Sequence, residues 1–279
     1  MAAFLNRIAT AVPENDVHEA FVAFADGLLQ GQRTHALFHR LASRSQIEHR
    51  WSVLAPAQDP ASGAVDAGGF YRRGAFPSTG ERMRVYERFA PDLAERAVAG
   101  LELGDNVGKI SHVIITSCTG LVAPGLDLEL VRRAGLNPSV ERTVIGFMGC
   151  YAAINALKLA RHIVRAEPEA RVLIVSLELC TLHLQETANL EQVLSFLVFG
   201  DGCAAALVSA EPTGLSLDRF HAVLAPQAAD QITWAIGDQG FDMVLSGQVP
   251  ASVSTALREN REAVLAGVPV AEVEHWAVH

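Results

Sequence analysis

The chain has 279 residues, half of them apolar and 19 % charged, which excludes an intrinsically disordered polymer. Against 31 Asp and Glu stand 22 Lys and Arg, a formal net charge of −9. No general affinity for nucleic acid is therefore expected, and any polyanion would need a local basic patch.

No apolar run approaches the ~18–20 residues of a membrane span. The opening stretch MAAFLNRIATAVPENDV has no basic cluster ahead of an apolar run and is broken by Pro13. It reads as a first strand rather than a secretory signal, and a cytoplasmic protein is expected. The cysteines, Cys118, Cys150, Cys180 and Cys203, form no C-x-x-C pair. Neither a zinc site nor a redox dithiol is signalled, and no metal is expected.

In chain order, short apolar and β-branched runs predict strands at 5–11, 112–116, 143–147, 171–177, 204–209 and 215–224. Helical spacing predicts helices at 91–103, 126–134, 151–165 and 250–265. Strands alternating with helices of this length imply an α/β fold with a parallel sheet covered by helices. The Pro-, Gly- and Ala-rich segment 56–81 reads as a surface excursion. A seam at 211–214 is the best boundary between two halves.

Four windows could carry chemistry. In VIGFMGCYAAINALKLARHIV a β-branched strand runs through Gly146 and Gly149 into Cys150 and an alanine-rich helix. A thiol at a helix start is favoured as thiolate, which fits a nucleophile. A buried cysteine packing as a small hydrophobe fits the same window equally well. In LVFGDGCAAALV the Gly-Asp-Gly forces a tight turn before a strand, with Phe199 as core or pocket wall. In HVIITSCTGLVAPGLD, Cys118 sits at the carboxyl end of a strand, where α/β proteins place ligands; plain packing is the competing reading. The final EHWAVH would, by itself, be dismissed as a frayed end. Cys180 and Cys203 fall at the ends of predicted strands and are expected in the core.

Taken in order, IATAVP, GFMGCYAA, LVFGDG and HWAVH resemble the type III polyketide synthases, the chalcone- and stilbene-synthase-like branch of the thiolase superfamily, of bacterial type. The resemblance implies a thiolase-like αβαβα layered fold, with residues 1–212 a complete first half and 213–279 a partial second half. It implies an acyltransferase that condenses a starter acyl-CoA with malonyl-CoA by decarboxylative Claisen chemistry through an acyl-Cys150 intermediate, followed by cyclisation. His279 stands at the family's catalytic histidine, and the catalytic Asn segment would lie beyond it, so a C-terminal truncation is expected. Phe199 and Met243 match positions that gate the pocket. Glu178 matches a buried acid, His183 a cavity-shaping position, and Cys118 a position that is Thr in plant members. The basic stretch HRLASRSQIEHR offers Arg40, Arg44 and Arg50; Arg40 and Arg44, one helical face at i, i+4, match contacts to coenzyme A phosphates. No organic cofactor or metal and a homodimer are implied. The alternatives are a ketoacyl synthase III-like enzyme making one condensation, and a catalytically inactive fragment.

Overall fold

A computed structural model describes residues 2–278. Strand β1 (Phe4–Ala11) and the two-residue β2 (Asn15–Asp16) lead into helices α1 (His18–Leu28) and α2 (Gln32–Arg44). After β3 (Trp51–Ser52) comes the long helix α3 (Thr79–Ala99), then β4 (His112–Ser117), α4 (Leu126–Arg133), β5 (Glu141–Gly146) and α5 (Ala152–Ala166). Strand β6 (Val172–Leu179), helix α6 (Leu190–Ser195), β7 (Asp201–Ser209) and β8 (Leu215–Ser216) follow. A hairpin of β9 (Ile232–Gly237) and β10 (Gly240–Leu245) precedes α7 (Val249–Glu259) and α8 (Arg261–Leu265).

Six strands form one sheet in the order β5-β4-β6-β7-β1-β8. Strand β4 pairs parallel with β5 and β6, whereas β6, β7, β1 and β8 pair antiparallel. The side-chain period of two explains the layers. Val113 and Ile115 face the core built on α3, while Ile114 faces Ala156, Ala160 and Val164 of α5. Alanines on α5 let that helix lie close to the sheet. The described residues thus form a helix–sheet–helix sandwich, consistent with the expected layered α/β fold. A separate aromatic core joins α1, α2 and α6 through Phe21, Phe24, Phe38 and Phe196.

Several predicted elements shift. Helix α3 starts twelve residues before the predicted helix because Ser78 and Glu81 form a capping box, each side chain bonding the other's backbone N–H; Pro91 is accommodated inside it, buried. The predicted strand at 215–224 shrinks to Leu215–Ser216, paired with Leu5 and Phe4. Leu224 beyond it is 83 % exposed. Segment 56–81 is irregular but not superficial. Val65, Tyr71 and Phe76 are buried in the aromatic core, because the Asp66 carboxylate collects the backbone N–H groups of Phe70 and Tyr71 and folds the loop inward. Cys203 is buried in β7, as expected, but Cys180 lies in the 3-10 turn after β6.

Candidate active site

The end of β5 and the start of α5 make a sharp elbow. Phe147 and Gly149 both adopt positive φ, 54° and 57°. Glycine takes that conformation freely; phenylalanine does so at a steric cost, which marks the turn as functional rather than incidental. The elbow delivers Cys150, in the 3-10 turn Gly149–Tyr151, with its side chain reachable from solvent.

Next to it, the Cys118 sulfur accepts the Gly149 N–H at 3.2 Å, tying the end of β4 to the elbow. Both thiols line a single cavity of about 950 Å3, together with Cys180, Glu178, Phe199 and Met243. Five of the residues singled out in the sequence therefore converge: Cys150, Cys118, Glu178, Phe199 and Met243. His183 does not line the cavity. It is fully buried behind the wall, so it does not itself narrow the space as expected. Cys180, expected in the core, faces the cavity because β6 ends one residue before it and the chain turns. His279 lies outside the described residues.

Glu178 is the electrostatic centre of this wall. Its carboxylate takes the Cys118 N–H at 2.9 Å and the Thr119 hydroxyl at 2.6 Å. Burial nevertheless pushes its pKa up to about 7, outweighing those donors. A carboxyl whose folded pKa lies above its ordinary 4.5 contributes stability that is present below pH 4.5 and lost as pH rises through about 7. At 1.36 kcal/mol per unit that slope amounts to about 3 kcal/mol. Glu178→Gln is expected to flatten it by up to that amount, measured by urea unfolding at half-unit steps from pH 4.5 to 8.

The same carboxyl acts on the thiols. Burial first, and Glu178 second, push the Cys150 and Cys118 thiols up, and among the described residues only Cys150's own backbone N–H pulls the Cys150 thiol the other way. Cys150 sits in the 3-10 turn that runs directly into α5, so the helix terminus favours its thiolate while burial and Glu178 oppose it.

The basic residues divide. Arg40 and Arg44 project from α2 into solvent. Arg50, from the same basic stretch, is instead buried in the cavity wall. It bonds the Phe196 carbonyl through Nη1 and lies over the Phe21 ring at 4.7 Å. Burial lowers its pKa to about 10, which leaves it charged at neutral pH.

Two contributors were not legible as site residues. Trp234, on β9, lines the cavity and donates its indole N–H to the Cys118 carbonyl at 2.7 Å. The readable signal was the alternation on either side of Asp238 and Gln239, which marks a two-residue hairpin turn. Asp201, in the Gly-Asp-Gly turn, receives N–H groups from Val53 and Thr181 and the Thr181 hydroxyl. It pins the turn below Cys180; burial holds its pKa up at about 6.

Residues 2–212 match the family described as chalcone and stilbene synthases, N-terminal domain. The chain belongs to the chalcone and stilbene synthase family. Among type III polyketide synthases, it is 31 % identical to the alpha-pyrone synthesis polyketide synthase-like Pks18 of Mycobacterium tuberculosis, over 99 % of this chain and 72 % of that protein. It is also 34 % identical to the 1,3,6,8-tetrahydroxynaphthalene synthase of Streptomyces griseus, over 64 % of this chain and 49 % of that one. The crystal structure of the tetrahydroxynaphthalene synthase of Streptomyces coelicolor superposes with a TM-score of 0.83 at 28 % identity, covering 99 % of this chain and 77 % of that one. PKS-I of the brown alga Ectocarpus siliculosus gives 0.85 at 28 %, covering 100 % and 76 %. The thiolase-like fold and membership among polyketide-synthesising acyltransferases follow. Among the described residues no helix is long and apolar enough to cross a membrane.

Proposed function

We propose that this type III polyketide synthase loads a starter acyl group from coenzyme A onto Cys150 and extends it with malonyl units. The observation that supports this most is the strained elbow at Phe147–Gly149, which presents the Cys150 sulfur to a roomy, largely apolar-lined cavity. The Cys150 thiolate attacks the thioester carbonyl and coenzyme A leaves as its thiol. Malonyl-CoA then loses CO2, and the resulting enolate attacks the acyl-Cys150 carbonyl, releasing the thiolate and leaving a chain two carbons longer on coenzyme A. Return of that chain to Cys150 repeats the cycle until cyclisation. Because burial and Glu178 hold the thiol up, the thiolate needs a neighbouring proton acceptor, and His279 is the residue this reading assigns. Phe199 and Met243 gate the cavity, with Met243 the more flexible. The chain acts as a homodimer, with 213–279 opening a second half.

Arg40 and Arg44 are assigned to coenzyme A phosphates. As exposed cations they act through water, so Arg40→Ala and Arg44→Ala are each expected to raise KM for acyl-CoA about three- to tenfold at low salt, an effect that fades as ionic strength rises. An unchanged KM at low salt in both variants contradicts the assignment.

The reading is tested by counting malonyl units. The full chain is incubated with one acyl-CoA and excess malonyl-CoA, and released CO2 and products are quantified. Two or more malonyl units per starter are expected. A single unit favours the ketoacyl synthase III-like alternative, and acyl loading without extension overturns both.

A further inference from the structure

Strand β1 carries a bulge. Leu5 pairs with Val208 and Arg7 with Leu207, so Asn6 is the extra residue between them. Successive strand residues ordinarily point to opposite faces. The bulge breaks that alternation, and Asn6 and Arg7 line one pocket of about 320 Å3. Buried Leu103 and Leu207 supply its apolar wall. The pocket is remote from the thiols. Arg171, which also lines it, immediately precedes β6, and Cys180 immediately follows that strand. At about 3.3 Å per residue, Arg171 and Cys180 stand about 30 Å apart.

Hydrogen-bond donors are in excess here. The Arg171 side chain is only 21 % exposed, yet its guanidinium makes no hydrogen bond among the described residues, and its Nε is buried without a partner. A cation so enclosed is ordinarily paired. The Glu211 carboxylate stands 3.7 Å from Arg171 Nη1, too far for a hydrogen bond, and faces water. Arg7 gives Nη1 to the Leu101 and Glu102 carbonyls, at 2.7 Å each. That fixes its guanidinium and leaves Nε and Nη2 without partners among the described residues. Asn106, on the turn after α3, accepts the Lys109 ammonium on Oδ1 at 3.2 Å, so its amide N–H groups are likewise spare. Asn6 has no such surplus. It donates to the Glu211 and Thr213 carbonyls and accepts the Ser209 hydroxyl, which pins the turn after β7.

The charges point the same way. Two guanidinium groups and the neighbouring Lys109 ammonium face one carboxylate, Glu211, which leaves two positive charges. An arginine fork matches two oxygens of one oxyanion. The volume lies at the small end of ligand pockets.

We propose that this pocket is an anion site that takes one small dianionic oxyanion of the phosphate class, held between Arg7 and Arg171 with Asn106 as a further donor. The bound anion ties β1, the start of β6 and the turn after α3 to the turn at 211–213, where the second half of the chain begins. The site is independent of the acyl chemistry and stands or falls whether or not Cys150 is acylated.

The test is equilibrium dialysis of the full chain against radiolabelled inorganic phosphate at fixed ionic strength. One phosphate per chain is expected, in the wild type and in the Arg40→Ala, Arg44→Ala double variant alike. Arg171→Met and Arg7→Met should each weaken binding at least about tenfold, since each removes one charged fork. Arg7 is exposed, so Arg7→Met keeps the test intact even if the replacement at 171 does not fold. Glu211→Gln should tighten binding about threefold by removing the opposing carboxylate. Phosphate should also slow backbone hydrogen exchange over 209–214 at least about threefold in the wild type and leave it unchanged in Arg7→Met. Equimolar coenzyme A, whose phosphates offer the same chemistry, is expected to leave the phosphate bound, because the thiols it serves lie at the other end of the sheet. No bound phosphate in the wild type, loss of binding in the Arg40→Ala, Arg44→Ala chain, binding that Arg7→Met and Arg171→Met leave unchanged, or displacement by coenzyme A each overturns the site.

Discussion

Arg82→Met is expected to destabilise the protein by about 3–5 kcal/mol, read as a lower urea midpoint with an unchanged slope. Arg82 is fully buried on α3. Its Nε donates to the Pro77 carbonyl at 3.0 Å, and its Nη1 reaches the Leu182 and Leu184 carbonyls at 2.9 and 2.8 Å and the Tyr71 hydroxyl at 3.1 Å. Methionine fills much of the same volume but donates nothing, so three buried carbonyls lose a charged donor. Stranding acceptors costs more than the bonds were worth, because the desolvation remains. The lost guanidinium also lies over the Tyr71 ring at 5.2 Å. Leu182 and Leu184 flank His183, so the variant should loosen the turn behind the cavity as well as α3. A loss below about 1 kcal/mol would show that water replaces the guanidinium.

Cys150→Ala is expected to abolish covalent acyl loading and to lower polyketide output at least about a thousandfold. The fold should be almost indifferent. Cys150 is exposed, has no partner beyond its own turn among the described residues, and alanine suits the turn that opens α5, so the change in stability should stay within about 0.5 kcal/mol. That contrast separates a chemical role from a packing one. A buried, inert cysteine would give the opposite pattern, with activity kept and stability lost. Cys118→Ala gives an informative comparison. It removes the acceptor of the Gly149 N–H and should disturb the elbow, so loading slows without vanishing.

The elbow was the most legible part of the molecule. A β-branched strand, two glycines and an alanine-rich helix in succession leave the backbone few choices, and Cys150 falls where the chain must bend. The sheet was legible for the same reason. Each central strand is buried on both faces, so its apolar run is continuous from Val113 to Ile115 and from Val172 to Val175. What the pattern could not show was how distant pieces meet. Arg50 reads as one more charge in a basic stretch, yet it is buried on Phe21 and Phe196, because burial is decided by α1 and α6, which lie 20 residues and more away. His183 reads as a cavity-shaping residue and lies fully buried outside the cavity. Its two partners, Thr119 and Phe241, lie 64 and 58 residues away. At Cys150 the helix terminus that the pattern shows is opposed by burial and by Glu178, a carboxyl 28 residues further on that the local window does not contain.

On the proposed function one sulfur, Cys150, carries the acyl chain although Cys118 and Cys180 share its cavity. The most direct measurement treats the full chain with a single acyl-CoA, digests it, and maps the acyl group by mass spectrometry. One acyl group per chain, on the peptide holding Cys150 and absent from those holding Cys118 and Cys180, is the predicted result. An acyl group on Cys118 or Cys180, or none on any thiol, contradicts it.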